Sequence, residues 1–434
     1  MRPRPRHAVA ALAVAAGVAA AVPAQASPED VFGFGPRSIA LGATGAASGQ
    51  GFETVYGNPA LLSLSREREL TLGLLGAAFD LRAGGEIPYD ALKGSMIGAV
   101  LPIPFGGVLR DRITLGLGFF TPFDLVVRGR ILYPETPQFP IADRTQSVAV
   151  QAGIGIDIGH GLRLGGGFAA LAALSGNVLV ATDASGRIGT VVEDTLVASY
   201  GPILGASYDI GSKYRVGLTF RGELQGRFNV VINVRDLGQI VVPPLNISGI
   251  AQYDPWQIAA EAARVDGPWR VALGATFKHW SAYPGPPEAT VRCPTVDPMT
   301  GEPITESCAA LVPLDPDYSD TVVPRVGVER AFAPADGVSM LVRGGYFFEP
   351  SPAPEQTREA NGYDSHRSVF TLGYGLELDH PLPPIRLDLF AQVHVLHLRT
   401  HQKDADVAPT NAGSPRVDSR GIILVGGTAA GVRF

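Results

Sequence analysis

Lysine is scarce in this chain. Lys93, Lys213, Lys278 and Lys403 are the only four among 35 basic residues. No basic run lies beyond the N-terminus, the net charge is -6 and the pI is near 5.8. A nucleic-acid binder needs a basic face, so that class is excluded. Charge of either sign is thin, at 18% against roughly 25% in an average soluble domain. Past the N-terminal segment no unbroken apolar stretch reaches the length of a spanning helix, so helical membrane spans are excluded. Cysteine appears only twice. Disorder is also excluded, because the chain is 46% apolar and disorder needs low hydrophobicity with high net charge.

Glycine is plentiful, with 53 of 434 residues, well above the average share of about 7%. The N-terminus has three parts: Arg2, Arg4 and Arg6, an apolar run from Ala8 to Val22, and Ala24-Gln25-Ala26. That is the pattern of a secretory signal peptide, expected to be cleaved after Ala26. No Cys follows the apolar run, which argues against a lipoprotein. Losing residues 1–26 removes three Arg and no acid, so -6 becomes -9.

The remaining sequence has a period of two. From Tyr214 to Val230 the even positions carry Val216, Leu218, Phe220, Leu224 and Phe228, and every charge lies at odd positions. Ile385 to Val395 and Trp269 to Phe277 alternate likewise. Neighbouring strand residues face opposite sides, so one face is apolar throughout. Fourteen such segments are predicted, and their links alternate in length. Gly159-His160, Gly211-Ser212 and Asp266-Gly267-Pro268 are short, while Asp124 to Arg144, Ala282 to Asp320 and Thr400 to Ser419 are long. Short turns on one side and long loops on the other predict an outer-membrane barrel. In hydrocarbon every backbone group must pair internally, so such a sheet must close. A soluble secreted β-sandwich or β-helix explains the strands but not the short/long rule. Phe434 ends the chain in phase with the lipid face, and resembles the signal that barrel-assembly machinery reads.

Fourteen strands lie between barrels filled by side chains and barrels that leave a channel, so a plug or ligand is expected. Ser27 to Arg68 precedes the first strand, and Phe32, Phe34, Ile39, Phe52, Tyr56, Leu61 and Leu62 are too apolar for a solvated tail. Gly33, Gly35 and Arg37, the small-residue stretch Leu41 to Ala47, and Asn58-Pro59-Ala60 follow in order. This leader resembles the hatch of FadL/TodX outer-membrane transport proteins. Leu115 to Phe123 is similar to that family's third strand, and Val342 to Phe348 with Pro350 and Pro352 is similar to a later one. The resemblance implies an all-β, 14-stranded antiparallel transmembrane β-barrel with its N-terminal hatch inside the lumen. The division is 1–26 signal peptide, 27–68 hatch and 69–434 barrel. The implied place is the outer membrane of a Gram-negative-type bacterium. The implied function is uptake of long-chain fatty acids or other hydrophobic compounds, with capture at apolar external loops and lateral exit through the wall. Pro122-Phe123 would mark a strand kink or lateral opening, although Asp124 stands where Gly is expected.

Candidate chemistry follows from parity. A ligand carboxylate would want an inward cation, because low dielectric strengthens that contact. Arg221, Lys278 and Arg343 sit near mid-strand and are the candidates for ligand contact. Arg215, Arg227, Arg325 and Arg386 share their face, as do Glu223, Glu329, Glu377 and Asp388. The competing reading is an internal salt-bridge lattice bracing the hatch. Cys293 and Cys308 flank a stretch of one long loop in an oxidising compartment, so a disulfide is expected. His394 and His397 face opposite sides of one strand, so no metal site is expected, nor any cofactor. Ser48 misses nucleophile-elbow spacing and no catalytic constellation stands out, so the expectation is not an enzyme. Two other functions stay open: a barrel lipase or protease, and a secretion or assembly partner without small-ligand transport.

Overall fold

The computed structural model describes residues 28–434 apart from 108–109, 125–134, 144, 146, 183–187, 236–244, 286–287, 292–314 and 381–382. The signal peptide and both cysteines lie outside the described residues. Fourteen antiparallel strands form one closed barrel. They are β1 (Glu69–Ala83), β2 (Leu92–Pro102), β3 (Ile113–Pro122), β4 (Ala149–Gly159), β5 (Leu162–Thr182), β6 (Ile188–Ile210), β7 (Tyr214–Arg221, resumed at Leu224–Arg235), β8 (Leu245–Asp254, resumed at Gln257–Arg264), β9 (Trp269–Lys278), β10 (Thr321–Ala335), β11 (Val338–Glu349), β12 (Arg367–Leu378), β13 (Ile385–Gln402) and β14 (Arg416–Arg433). The seam is closed by β1 on β14, from Glu69 opposite Arg433 to Ala83 opposite Ser419. No backbone edge is left there for lipid to meet.

The alternation is realised as solvent-side and core-side faces. Leu218, on β7, is half exposed, whereas Thr219 beside it is fully buried. Leu72, Leu74, Leu204, Leu273, Leu372, Leu389 and Leu424 form an outward apolar band. Among the described residues no helix is long and apolar enough to cross a membrane; strands do the crossing.

The fold departs from the parity reading in one place. Alternation from Tyr214 to Val230 puts Leu224 on the lipid face, yet Leu224 is buried. Strand β7 breaks at Gly222-Glu223, where Gly222 donates to Pro202 O at 2.8 Å. A Cβ on inward-facing Gly201 would lie 2.9 Å from Glu223 O, so the chain crosses the inner side of β6 here. Strand β8 breaks at the matching level, at Pro255-Trp256. Beyond the breaks, Leu224–Arg235 runs parallel to β5, from Leu174 opposite Phe228 to Ala181 opposite Arg235. The outer parts of β5 to β8 thus form a sheet of their own in the external part of the molecule, the cap, instead of extending the wall. Further round the rim, Phe139, Ile141 and Ala142 are buried with Tyr363, and Lys403 donates to Arg358 O and Ala360 O. Burial pushes the Tyr363 hydroxyl up to about 12.

Candidate functional site

The lumen is filled from the N-terminal side. Three short helices, α1 (Pro28–Phe32), α2 (Pro36–Ala40) and α3 (Thr54–Gly57), and 3-10 turns at Gly51–Glu53 and Pro59–Leu64 make the hatch. Val31, Phe32, Phe34, Ile39, Phe52, Val55 and Leu62 are all buried in it. Gly33 and Gly35 have φ of 93° and 85°, left-handed backbone that suits only glycine here. Between them they turn α1 into α2. The N-terminus of α2 is held by Glu53, which accepts from Arg37 N at 2.9 Å and Ser38 N at 2.6 Å.

The wall receives this hatch on bare backbone. A Cβ on Gly155 would lie 2.5 Å from Pro59 O, one on Gly116 2.5 Å from Leu62, and one on Gly327 2.6 Å from Leu41 O. Gly98, Gly165, Gly205, Gly217 and Gly345 are occluded in the same way by Phe52, Ala60, Asn58, Ala46 and Gly42. These glycines belong to eight different strands, so the glycine surplus is a belt around the lumen. Asn58-Pro59-Ala60 sits on it. The Asn58 side chain donates to Ala46 O (2.6 Å) and Ala206 O (3.0 Å), and accepts from Ala60 N (3.1 Å). Asn58 therefore pins the hatch to itself and to the wall.

Polar catches complete the seat. Glu261, buried on β8, accepts from four successive backbone amides: Gly45 (2.7 Å), Ala46 (3.1 Å), Ala47 (3.1 Å) and Ser48 (2.8 Å). Such a run of amides is an anion-binding concavity, filled here by a wall carboxylate. Gln392 donates to Phe32 O and Ile39 O, both at 2.8 Å.

The candidate cations divide. Lys278 is fully buried and donates to Asp30 (2.9 Å) and Glu349 (2.7 Å), and Arg367 also meets Glu349. Arg343 pairs with Glu329 at 2.8 Å and with Asp388. Arg37 of the hatch motif reaches the same Glu329 at 3.1 Å, and donates to Ser48 O at 2.6 Å. Arg386 continues the chain onto Asp388 and Glu377. Lys278 and Arg343 are thus members of the bracing lattice. Arg221 differs: it donates to Gln257 at 3.0 Å and to Tyr56 O, and lies over the Tyr56 ring.

Arg221 borders a lumenal cavity of about 40 Å³. Arg325, Asp30, Glu29, Tyr56 and Glu261 also line it. That cavity holds about three or four waters at about 10–15 Å³ each, and is too small for a hydrophobic ligand. The hatch is therefore seated in a closed position. Strand β3 ends at Pro122, and Phe123 just beyond it is 58% exposed. The ladders on both flanks of β3 are continuous, from Gly94 opposite Pro122 on one side and to Phe120 opposite Ala149 on the other. Above the lumen, Tyr253, Trp280, Tyr283 and Tyr318 stack with ring centroids as close as 4.6 Å, an aromatic mouth.

Parity places Arg325 on the inward face, where it is found beside the cavity, but does not single out Glu261. The available signal for Glu261 was a lone acid between small inward residues, Ala259 and Ala263.

Comparison with known proteins is consistent along the whole chain. A family model described as outer membrane protein transport protein (OMPP1/FadL/TodX) matches residues 12–434. Alkane uptake protein A of Marinobacter nauticus is 23% identical, with 91% of each chain covered. Among solved structures, a Pseudomonas aeruginosa FadL homologue superposes with a TM-score of 0.61 at 14% identity, covering 92% of this chain and 98% of that one. The Pseudomonas putida toluene transporter TodX gives 0.54 at 15% identity, covering 93% and 99%. At these identities the structural likeness shows the fold.

Proposed function

The chain belongs to the OMPP1/FadL/TodX family of outer-membrane transporters of hydrophobic compounds, and from that premise we propose that its cargo is an uncharged hydrocarbon, alkane-like or aromatic. The observation that carries this reading is the state of the lumenal cations. Lys278 and Arg343 are already neutralised by Asp30, Glu349, Glu329 and Asp388. A carboxylate ligand would have to break buried pairs and leave acids uncompensated, at several kcal/mol. Arg221 and Arg325 share the cavity lining with three acids, Glu29, Asp30 and Glu261, so the lining carries no excess of positive charge to hold a carboxylate. An alkyl or aryl chain needs none of these charges and gains about 0.8 kcal/mol per buried methylene. The likeness to an alkane uptake protein supports the same class.

The route begins at the aromatic mouth, passes the hatch once its catches open, and leaves sideways through the wall, sparing the ligand exposure to water. In this reading the cargo passes unchanged. At the outer rim His401 Nδ1 accepts from Gln356 N, so its Nε2 carries the proton toward Ser419 and cannot act as base on it.

A long-chain fatty acid is the second reading, favoured by Arg221 and Arg325, which have no ion pair among the described residues. Uptake of labelled alkane, toluene and long-chain fatty acid by a deletion strain carrying this protein decides. Hydrocarbon uptake that persists in Arg221→Gln supports the proposal. Fatty-acid uptake alone, lost in Arg221→Gln, supports the second reading. Uptake of none would leave an assembly or secretion role.

A further inference from the structure

Arg264, at the end of β8, and Arg330, on β10, lie on the lipid-facing side of the barrel and have no ion pair among the described residues. Both lie at the periplasmic end, the end where Glu69 and Arg433 close the barrel and where the short turns lie. Register brings them together. Arg264 is opposite Val271, Val271 is opposite Val328, and Arg330 is opposite Trp269. The two Cα atoms are then about 12 Å apart, from a strand spacing of ~4.8 Å and a rise of ~3.3 Å per residue. Long arginine side chains from both positions reach one shared point.

Arg330 is held in a specific way. Its Cζ lies 4.8 Å from the centroid of Trp269 and 4.5 Å from that of Phe332. The two rings hold the guanidinium against the outer wall, and its N–H donors have no partner among the described residues. An arginine that only snorkels keeps its head in water, with no ring to orient it. Directly above, toward mid-membrane, Leu273 is 60% exposed, and Tyr214 borders the site from β7. The arrangement is a cationic edge at headgroup level over an apolar stripe at acyl level.

We propose that Arg264 and Arg330 bind the phosphate of an anionic phospholipid of the inner leaflet, with Trp269 and Leu273 against its acyl chain. Charge complementarity and position select this occupant. A phosphate accepts the edge N–H donors of both guanidiniums, and the leaflet at this end is the periplasmic one.

The test uses the full-length purified protein in mild detergent, with phosphatidylglycerol, phosphatidylcholine and lipopolysaccharide compared by native mass spectrometry. Phosphatidylglycerol adducts should survive on the wild type and fall about tenfold in Arg330→Gln, the loss of one charge-assisted contact. Arg264→Gln should act in the same direction, and Arg330→Lys, which keeps charge but loses the ring stack, should fall between. Heat-modifiable migration on gels confirms that each variant barrel is folded. Unchanged phosphatidylglycerol binding in the double variant overturns the proposal. So does equal retention of phosphatidylcholine by the wild type, or a lipopolysaccharide preference that depends on these arginines.

Discussion

Removing the carboxylate of Glu261 should unseat the hatch while sparing the wall. In Glu261→Ala four amide donors, partly buried at Gly45 and buried at Ala46 to Ser48, lose their acceptor together. Each unsatisfied donor costs about 1–3 kcal/mol. The adjoining cavity of about 40 Å³ admits water, so part of that cost is recovered. A net loss of about 3 kcal/mol in hatch docking remains, and it raises the unseated fraction by about two orders of magnitude. Glu261→Gln keeps one acceptor oxygen but turns an amide NH₂ toward two of the donors, so its effect should be similar in sign and smaller. The assay is single-channel conductance in planar bilayers, paired with protease cleavage within residues 28–64. Both variants should show larger or more frequent openings and faster cleavage, with normal heat-modifiable migration. Wild-type conductance and cleavage in both would mean that the four amides are held by their own turn, and that Glu261 is not a catch.

Three further outcomes follow from other parts of the barrel. Leu218→Arg, on the lipid face, should cost about 2–4 kcal/mol in urea titrations of the folded barrel, whereas Thr219→Arg should raise conductance, because Thr219 donates to Gly57 O of the hatch at 2.7 Å; the reverse pattern would put the strand out of phase. Gly165→Val should also evict the hatch, since its side chain meets the Ala60 backbone, and a wild-type conductance would refute the backbone seat. Tyr363, held up to about 12 by burial, should ionise about two units above a free tyrosine near 10 in the ultraviolet difference between wild type and Tyr363→Phe. Its raised value means that the packing it contributes is intact below pH ~10 and is lost only as pH climbs through 12; ionisation near 10 would mean that water enters the cap.

How much of this was legible in advance depended on range. Strand existence and facing were readable because one face meets lipid, so Leu218 and Leu389 announce themselves by parity alone. The hatch was readable from apolar residues in a glycine-rich leader, and Asn58-Pro59-Ala60 from its resemblance. The break in β7 was not readable, because Leu224 and Phe228 keep the alternation after the chain has turned inward at Gly222. The fate of the cations was also hidden. Whether Lys278 meets Asp30 or a ligand depends on how a hatch residue is placed against a strand 248 positions later, and periodicity carries no such information. The glycine count was visible, but its meaning required the placement of the hatch against inward glycines of eight strands.

That glycine belt has a kinetic consequence. A plug resting on flexible side chains could slide by degrees, since long rotamers yield gradually. Here peptide meets peptide at Gly155, Gly165, Gly217, Gly327 and Gly345, and main chain does not yield. A displacement of an ångström or two loses the close fit, the Asn58 bridge and the Glu261 catch in one event. The hatch thus has two discrete positions separated by a barrier. Currents through a single protein should switch in steps with measurable dwell times instead of drifting through intermediate levels.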